Sequence, residues 1–296
     1  MPLPLPDIAT LTLQHGPWRA VLFDPRPDPL ALGARYIHGG YVAAWYRGER
    51  CLTSRCRTNW ETYDGQGLPE LFETAFPAGL VTPGEPIMRI GAGQVLAGEP
   101  GLQQAHQKLL TPVTWQVESQ AANCIVMRCH DALKTAGGQD YAYQLVRTIE
   151  LTEQGLLSHS QLRVQCPWAV TMAWFPHPFF AHEDGTGTRY QLPAQSHALS
   201  GKFPALPIDA AGLVTAPVKG GLGVYTNVWR LPVTRFPIQL DARQGGGTIA
   251  MEVDYPVDKL VAFATQHAGS LEPYWARFWH NGERADWSVR YLWQEE

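Results

Sequence analysis

The run Trp174-Phe175-Pro176-His177-Pro178-Phe179-Phe180, followed by His182, Glu183 and Asp184, is the stretch whose reading decides both the fold and the chemistry of this chain. Proline on each side of His177 removes two backbone donors and fixes φ at two positions, so a regular central strand stops at the histidine. The sequence predicts a rigid, extended and kinked segment there. An imidazole held on it among Trp174, Phe179 and Phe180 reads in two ways. It is a positioned proton donor or acceptor near neutral pH, or a buried histidine satisfied by a backbone carbonyl. A partner for the first reading lies near the other end of the chain, Glu272 in Ser270-Leu271-Glu272-Pro273-Tyr274-Trp275. The proline after Glu272 biases its backbone towards the extended region and predicts a strand or strand end. The alternative for Glu272 is a solvent-facing strand residue.

Working outward from the histidine, Tyr141, Tyr143, Leu145, Ile149 and Leu151 alternate with polar or small residues, the period of a half-buried strand. Thr152-Glu153-Gln154-Gly155 turns the chain into a second strand over 156–164, and residues 169–175 read as a third strand of the same meander, delivering His177. Arg147 falls on the apolar face of the first of these strands. It is either an ion-paired or snorkelling core arginine or a guanidinium projecting into a cleft. Upstream, residues 114–118 and 124–129 read as strands, as does 18–23, and residues 33–50 read as a strand pair divided by Gly39-Gly40. Residues 54–86 are irregular, polar and glycine-rich, which suits either a binding loop or a solvated excursion.

Downstream, strands are predicted at 223–229, 236–240, 248–253, 260–264, 271–275 and 286–293, at roughly 12-residue spacing. No segment keeps a helical period; 101–110 is the best helix candidate. Many strands with Gly/Pro turns and no βαβ rhythm mean an all-β protein, a large antiparallel β-sandwich. The expected organisation is an N-terminal arm over 1–16 and one β-sandwich domain over 17–296.

The 296 residues are 45% hydrophobic and 17% charged, enough apolar content for a sizeable core. A net charge of −4 with no basic run leaves nothing to attract a nucleic-acid backbone or an anionic membrane. Met1-Pro2-Leu3-Pro4-Leu5-Pro6 has neither the basic nor the apolar region of a signal peptide, and no run reaches the roughly 18 apolar residues of a membrane span. Five cysteines, an odd number without a CxxC pair, argue against a disulfide framework and a zinc site. The expectation is a soluble cytoplasmic protein with reduced thiols. A His and a Glu from distant segments, in aromatic surroundings, suit a sugar: ring faces pack on the C–H face of a pyranose while carboxylates, Asn and Arg bind hydroxyls.

Residues 174–180 resemble the His-Pro-aromatic-Phe segment of the aldose 1-epimerases, the galactose mutarotase-like proteins. Leu271-Glu272-Pro273, then Asn281-Gly282-Glu283-Arg284 and the strand Trp287-Ser288-Val289-Arg290-Tyr291, resemble the end of that superfamily. There a glutamate precedes a loop, a Pro-Gly-Glu turn and the closing strand. The resemblance is best from about residue 140 onward. It implies a supersandwich with a sugar cleft on a concave face, with His177 as the acid that protonates the ring oxygen and Glu272 as the base that takes the C1 hydroxyl proton. Arg35, Glu73, Arg147, Trp174 and Asn227 are the candidates for binding substrate, a small-molecule sugar or sugar phosphate. No metal or organic cofactor is implied, and the protein is expected as a monomer or homodimer.

Two of the family's first-half features, an Asn-Arg segment and an additional histidine, have no match in this sequence. Arg35-Tyr36 and the loop 66–73 resemble a divergent branch instead, and Asn227 and Asp241 stand by position only for the family's substrate-binding aspartate. Three functions follow from these residues. The first is an enzyme interconverting the α and β anomers of a free or phosphorylated aldose. The second is a non-catalytic carbohydrate-binding protein of the same fold. The third is a glycoside-processing enzyme pairing Glu272 with Glu73 or Asp184, which requires the two carboxyls within about 5–10 Å.

Overall fold

The computed structural model describes residues 4–295 apart from 78–80, 99–106, 183–187, 193–197, 200–211, 217–223, 232–234 and 241–246. For the strands within 198–199, 213–216, 224–231 and 236–240 the description is of backbone pairing alone. Among the described residues the regular structure is antiparallel strand plus one 3-10 turn at Pro29–Leu32. No helix there is long and apolar enough to cross a membrane. The helix candidate at 101–110 lies mostly outside the described residues, and 107–110 form none.

Two large sheets carry the fold. One is nine-stranded and runs, in hydrogen-bonded order, Leu213–Ala216, Thr188–Gln191, Arg235–Leu240, Gly247–Val253, Arg284–Glu295, Gly155–Gln165, Asp140–Thr152, Cys124–Lys134 and Trp115–Gln120. The other runs Ala198–Leu199, Val224–Leu231, Val257–Ala264, Ala268–Trp279, Val170–Pro176 and Glu70–Phe72, with Phe180–Ala181 also pairing onto Ala268–Trp279. The main core lies between them. Trp174, Trp279 and Trp287 are buried there with half-buried Trp275 beside them, in edge-on contacts whose centroids lie 5.3–6.4 Å apart. Such pairs each add about 0.5–1.5 kcal/mol beyond the area they bury.

Four sequence expectations change. Val170–Pro176 does not continue the meander: it pairs with Ala268–Trp279 and Glu70–Phe72 in the opposite sheet. The break Cys166-Pro167 lets the chain cross the core, and strand periodicity carries no information on which sheet a strand joins. Residues 34–41 are not a strand. Gly40 sits at φ +70°, where an added Cβ would meet Ile149 at 2.9 Å, so the backbone turns there, and pairing starts at Val42–Arg47. The segment read as an arm contains the strand Thr10–His15, hairpinned to Trp18–Phe23. Finally, Trp174 points into the inter-sheet core, not towards the histidine.

A second apolar cluster covers the outer face of the smaller sheet. It joins Phe175, Phe179, Val261, Ala268 and Tyr274 to Phe23, Tyr36, Tyr41 and Cys56 from the N-terminal third. The irregular residues 53–69, threaded by single bridges Thr53↔Phe180, Arg55↔Gln66 and Val42↔Leu68, close over this face. Tyr36, Tyr41 and Phe179, packed together in this cluster, form an aromatic roof above the strand that carries Glu272.

Candidate functional site

The ladder between the two central strands ends at Trp174↔Trp275. Continued in the same register, it sets Phe175 opposite Tyr274 and His177 opposite Glu272. The side chains agree: the Phe175 and Tyr274 rings stack at 3.9 Å, and His177 Nε2 lies 3.4 Å from Glu272 Oε1. Pro176 and Pro178 have no N–H to give, and the one N–H between them, that of His177, goes to Pro69 O at 2.8 Å. Regular pairing therefore stops, and the imidazole leaves the strand over the carboxyl of its neighbour.

Alternation about Glu272 supplies the rest. Ser270 and Tyr274, two residues to either side, share its face. Ser270 Oγ lies 3.2 Å from His177 Nδ1, and the Tyr274 hydroxyl donates to Glu272 Oε2 at 3.4 Å. The Phe179 ring stacks on the imidazole at 4.4 Å, with Phe263 and Tyr36 edge-on at 5.6 and 6.3 Å. Lys259 Nζ sits over the Tyr274 ring at 3.9 Å. His177 and Glu272 are each 4% exposed, while Arg35, Lys259 and Phe263 are half-buried around them.

Burial sets the protonation of the pair. It raises the Glu272 carboxyl to about 8, against the smaller opposing pull of Arg35 and Lys259. It also holds His177 well below the usual imidazole value, and the Arg35 charge pushes the same way. At neutral pH the two groups are together uncharged and hold one proton, resting on Glu272. The Tyr274 hydroxyl is pushed far up by its own burial and by the neighbouring carboxyls, so it serves as a donor.

The sequence candidates separate clearly. His177 and Glu272 meet. Arg35 joins them: its guanidinium donates to Tyr63 O, lies 4.9 Å from the Tyr36 ring centroid, and acts electrostatically on both members of the pair. Arg147 does not reach the site; it is a buried ion pair with Glu70 in the inter-sheet core, 2% exposed on each side chain. Trp174 packs on Tyr255 and Trp287 instead of facing a ligand. Glu73 is exposed, and its N–H bonds Ala173 O, four residues or roughly 13 Å of extended strand from His177. Asn227 lies by backbone register opposite Val261, which is opposite Glu272, so it belongs to the same row of the sheet. Glu183, Asp184 and Asp241 lie outside the described residues.

Ser270, Tyr274 and Phe263 are site residues that no motif in the sequence marks, although Ser270 and Tyr274 sit at the i±2 positions that share a face with Glu272. Among the described residues no three His, Cys, Asp or Glu side chains converge as a metal site.

No family model and no curated protein matches the sequence. Solved structures do match. A putative aldose 1-epimerase from Escherichia coli K12 superposes with a TM-score of 0.65 at 16% identity, over 97% of this chain and 99% of that one. A galactose mutarotase-like protein from Lactobacillus casei gives 0.65 at 13% identity, over 97% and 100%. A GalM/aldose epimerase homologue from C. elegans gives 0.54 at 10%, over 97% and 99%. Similarity that spans both chains end to end at such low identity is similarity of fold, and the chain has the galactose mutarotase-like fold.

Proposed function

We propose that this protein is an aldose 1-epimerase-like enzyme that interconverts the α and β anomers of an aldose through His177 and Glu272. The observation that carries the reading is the direct contact of a buried imidazole with a buried carboxyl on adjacent strands, lined by aromatic rings, in this fold. A hemiacetal opens when the C1 hydroxyl loses a proton as the ring oxygen gains one. In the opening step protonated His177 gives its proton to the ring oxygen, and Glu272 carboxylate takes the proton from the C1 hydroxyl. The enzyme is left with neutral His177 and protonated Glu272, which is the resting state described above. That state is therefore the one that catalyses closure, the microscopic reverse. A proton passed across the 3.4 Å contact resets the pair for opening. Arg35 and Asn227 are the proposed ligands of sugar hydroxyls or of a phosphate.

The test is NMR exchange spectroscopy on glucose, galactose, glucose 6-phosphate and galacturonate. Catalysed exchange on one of these, lost by at least about 100-fold in both Glu272→Gln and His177→Asn while the fold is retained, supports the proposal. Saturable sugar binding with exchange at the buffer rate replaces it with the non-catalytic binding protein.

A further inference from the structure

A heavily bonded buried ion pair lies outside the site, in the inter-sheet core. Glu70 accepts two hydrogen bonds from the Arg147 guanidinium, one at each carboxylate oxygen, and another from the Ser158 hydroxyl. Arg147 also donates to Ser158 and Ser160, at 2.9 and 2.8 Å. Both side chains of the ion pair are 2% exposed. Glu70 belongs to the smaller sheet, whereas Arg147, Ser158 and Ser160 belong to adjacent strands of the larger one. Replacing a buried ion pair by apolar side chains of similar volume is often neutral or stabilising, so stability alone does not explain its presence here.

Its position does. Glu70–Phe72 is three residues long and lies at the edge of its sheet, with Val170–Pro176 as its ladder partner among the described residues. Yet this short strand is the joint of the site. Pro69 O receives the N–H of His177 at 2.8 Å, and Glu70 O receives the N–H of Ile37 at 2.9 Å. The first bond places the imidazole; the second places the segment that carries Arg35 and Tyr36. Main-chain bonds such as Leu68 N–H to Val42 O and Phe179 N–H to Gly67 O tie the joint to its neighbours on the same side of the core, and the Glu70 side chain bonds it to the opposite sheet.

We infer that Glu70 and Arg147 are positioning residues: their ion pair ties the Pro69-Glu70 joint to the opposite sheet and thereby holds His177 in register over Glu272. This rests on the reading of His177 and Glu272 as the functional pair. A fork of two parallel hydrogen bonds fixes direction as well as distance, which apolar packing at the same place does not.

The experiment compares the wild type with the Glu70→Gln/Arg147→Met double variant, which leaves no buried charge. The first readout is sugar-free: the imidazole 15N shifts of His177 as a function of pH. The second is the anomer exchange rate, separated into kcat and KM. The expected result is a folded variant in which the His177 nitrogen shifts and their pH dependence change and kcat falls at least 10-fold with a smaller change in KM. Arg147→Lys, which keeps the charge but not the fork, is expected in between. If the double variant does not fold, Arg147→Lys alone, which breaks the two-bond fork, is read out in the same way. Unchanged His177 shifts and an unchanged kcat in a folded variant of either kind overturn the inference. If the wild type shows no exchange at all, the proposed activity fails, while the 15N arm still decides whether the ion pair positions the imidazole.

Discussion

Replacing Glu272 by Gln removes the pH dependence of stability that the buried carboxyl imposes. In the folded chain burial raises this group from 4.5 to about 8. Above pH 4.5 the native state therefore binds a proton that the unfolded chain has released. Stability must fall as pH rises through this window, because the unfolded state holds fewer protons. Each pH unit between the unfolded and folded pKa values costs about 1.4 kcal/mol, so the penalty is about 1 kcal/mol at pH 5, about 3 at pH 7 and about 5 at pH 9. Glutamine has nearly the same shape, keeps an oxygen for the Tyr274 hydroxyl and has no proton to lose, so the variant escapes this penalty. The lowered His177 value costs stability below the ordinary imidazole range in both proteins and largely cancels in the comparison. Urea unfolding of both at pH 5, 7 and 9 gives the difference directly. The variant is expected to be close to wild type at pH 5 and several kcal/mol more stable at pH 9. A constant offset across the three pH values, or a variant that is less stable at pH 9, would refute the reasoning: Glu272 would then be ionised and held by Arg35.

Other perturbations read neighbouring parts of the same arrangement. Tyr274→Phe keeps the stack on Phe175 but removes the donor to Glu272, at a cost of about 1 kcal/mol. Because that hydrogen bond lowers the carboxyl's pKa, the pH–rate profile for anomer exchange is expected to move upward. Gly67→Ala is expected to lower the Tm by several degrees in a thermal melt. The residue sits at φ +72° with its would-be Cβ 2.1 Å from Val42 O, and the backbone conformation alone costs about 1–2 kcal/mol.

The sequence shows much of this, and the gaps have physical causes. Period-2 alternation from Tyr141 to Leu151 and the prolines around His177 report local backbone state, and the structure has strands and a strand end in those places. What alternation does not report is which sheet a strand enters. Val170–Pro176 therefore reads as the third strand of a meander it does not join, since sheet choice depends on contacts with residues about a hundred positions away. Trp174 and Phe175 show the same limit. Both are large, apolar and adjacent, and only the face shared with His177 separates the residue against the site from the one in the core. Arg147 is legible as a polar residue on an apolar face, but its partner Glu70 lies in a stretch with no periodicity to mark it as buried.

The prolines that present His177 also have a consequence during synthesis. The strand with Glu272 is made 95 residues after His177, and until it emerges from the ribosome Val170–Pro176 has one flank unpaired. A bare, apolar strand edge is a template for pairing with another nascent chain. At its exposed end Pro176 and Pro178 offer no amide hydrogens, and the single one between them is claimed by Pro69, which has already been made. The waiting edge is thus shortened at its His177 end, so that a stranger's strand finds less to grip before the chain's own partner arrives.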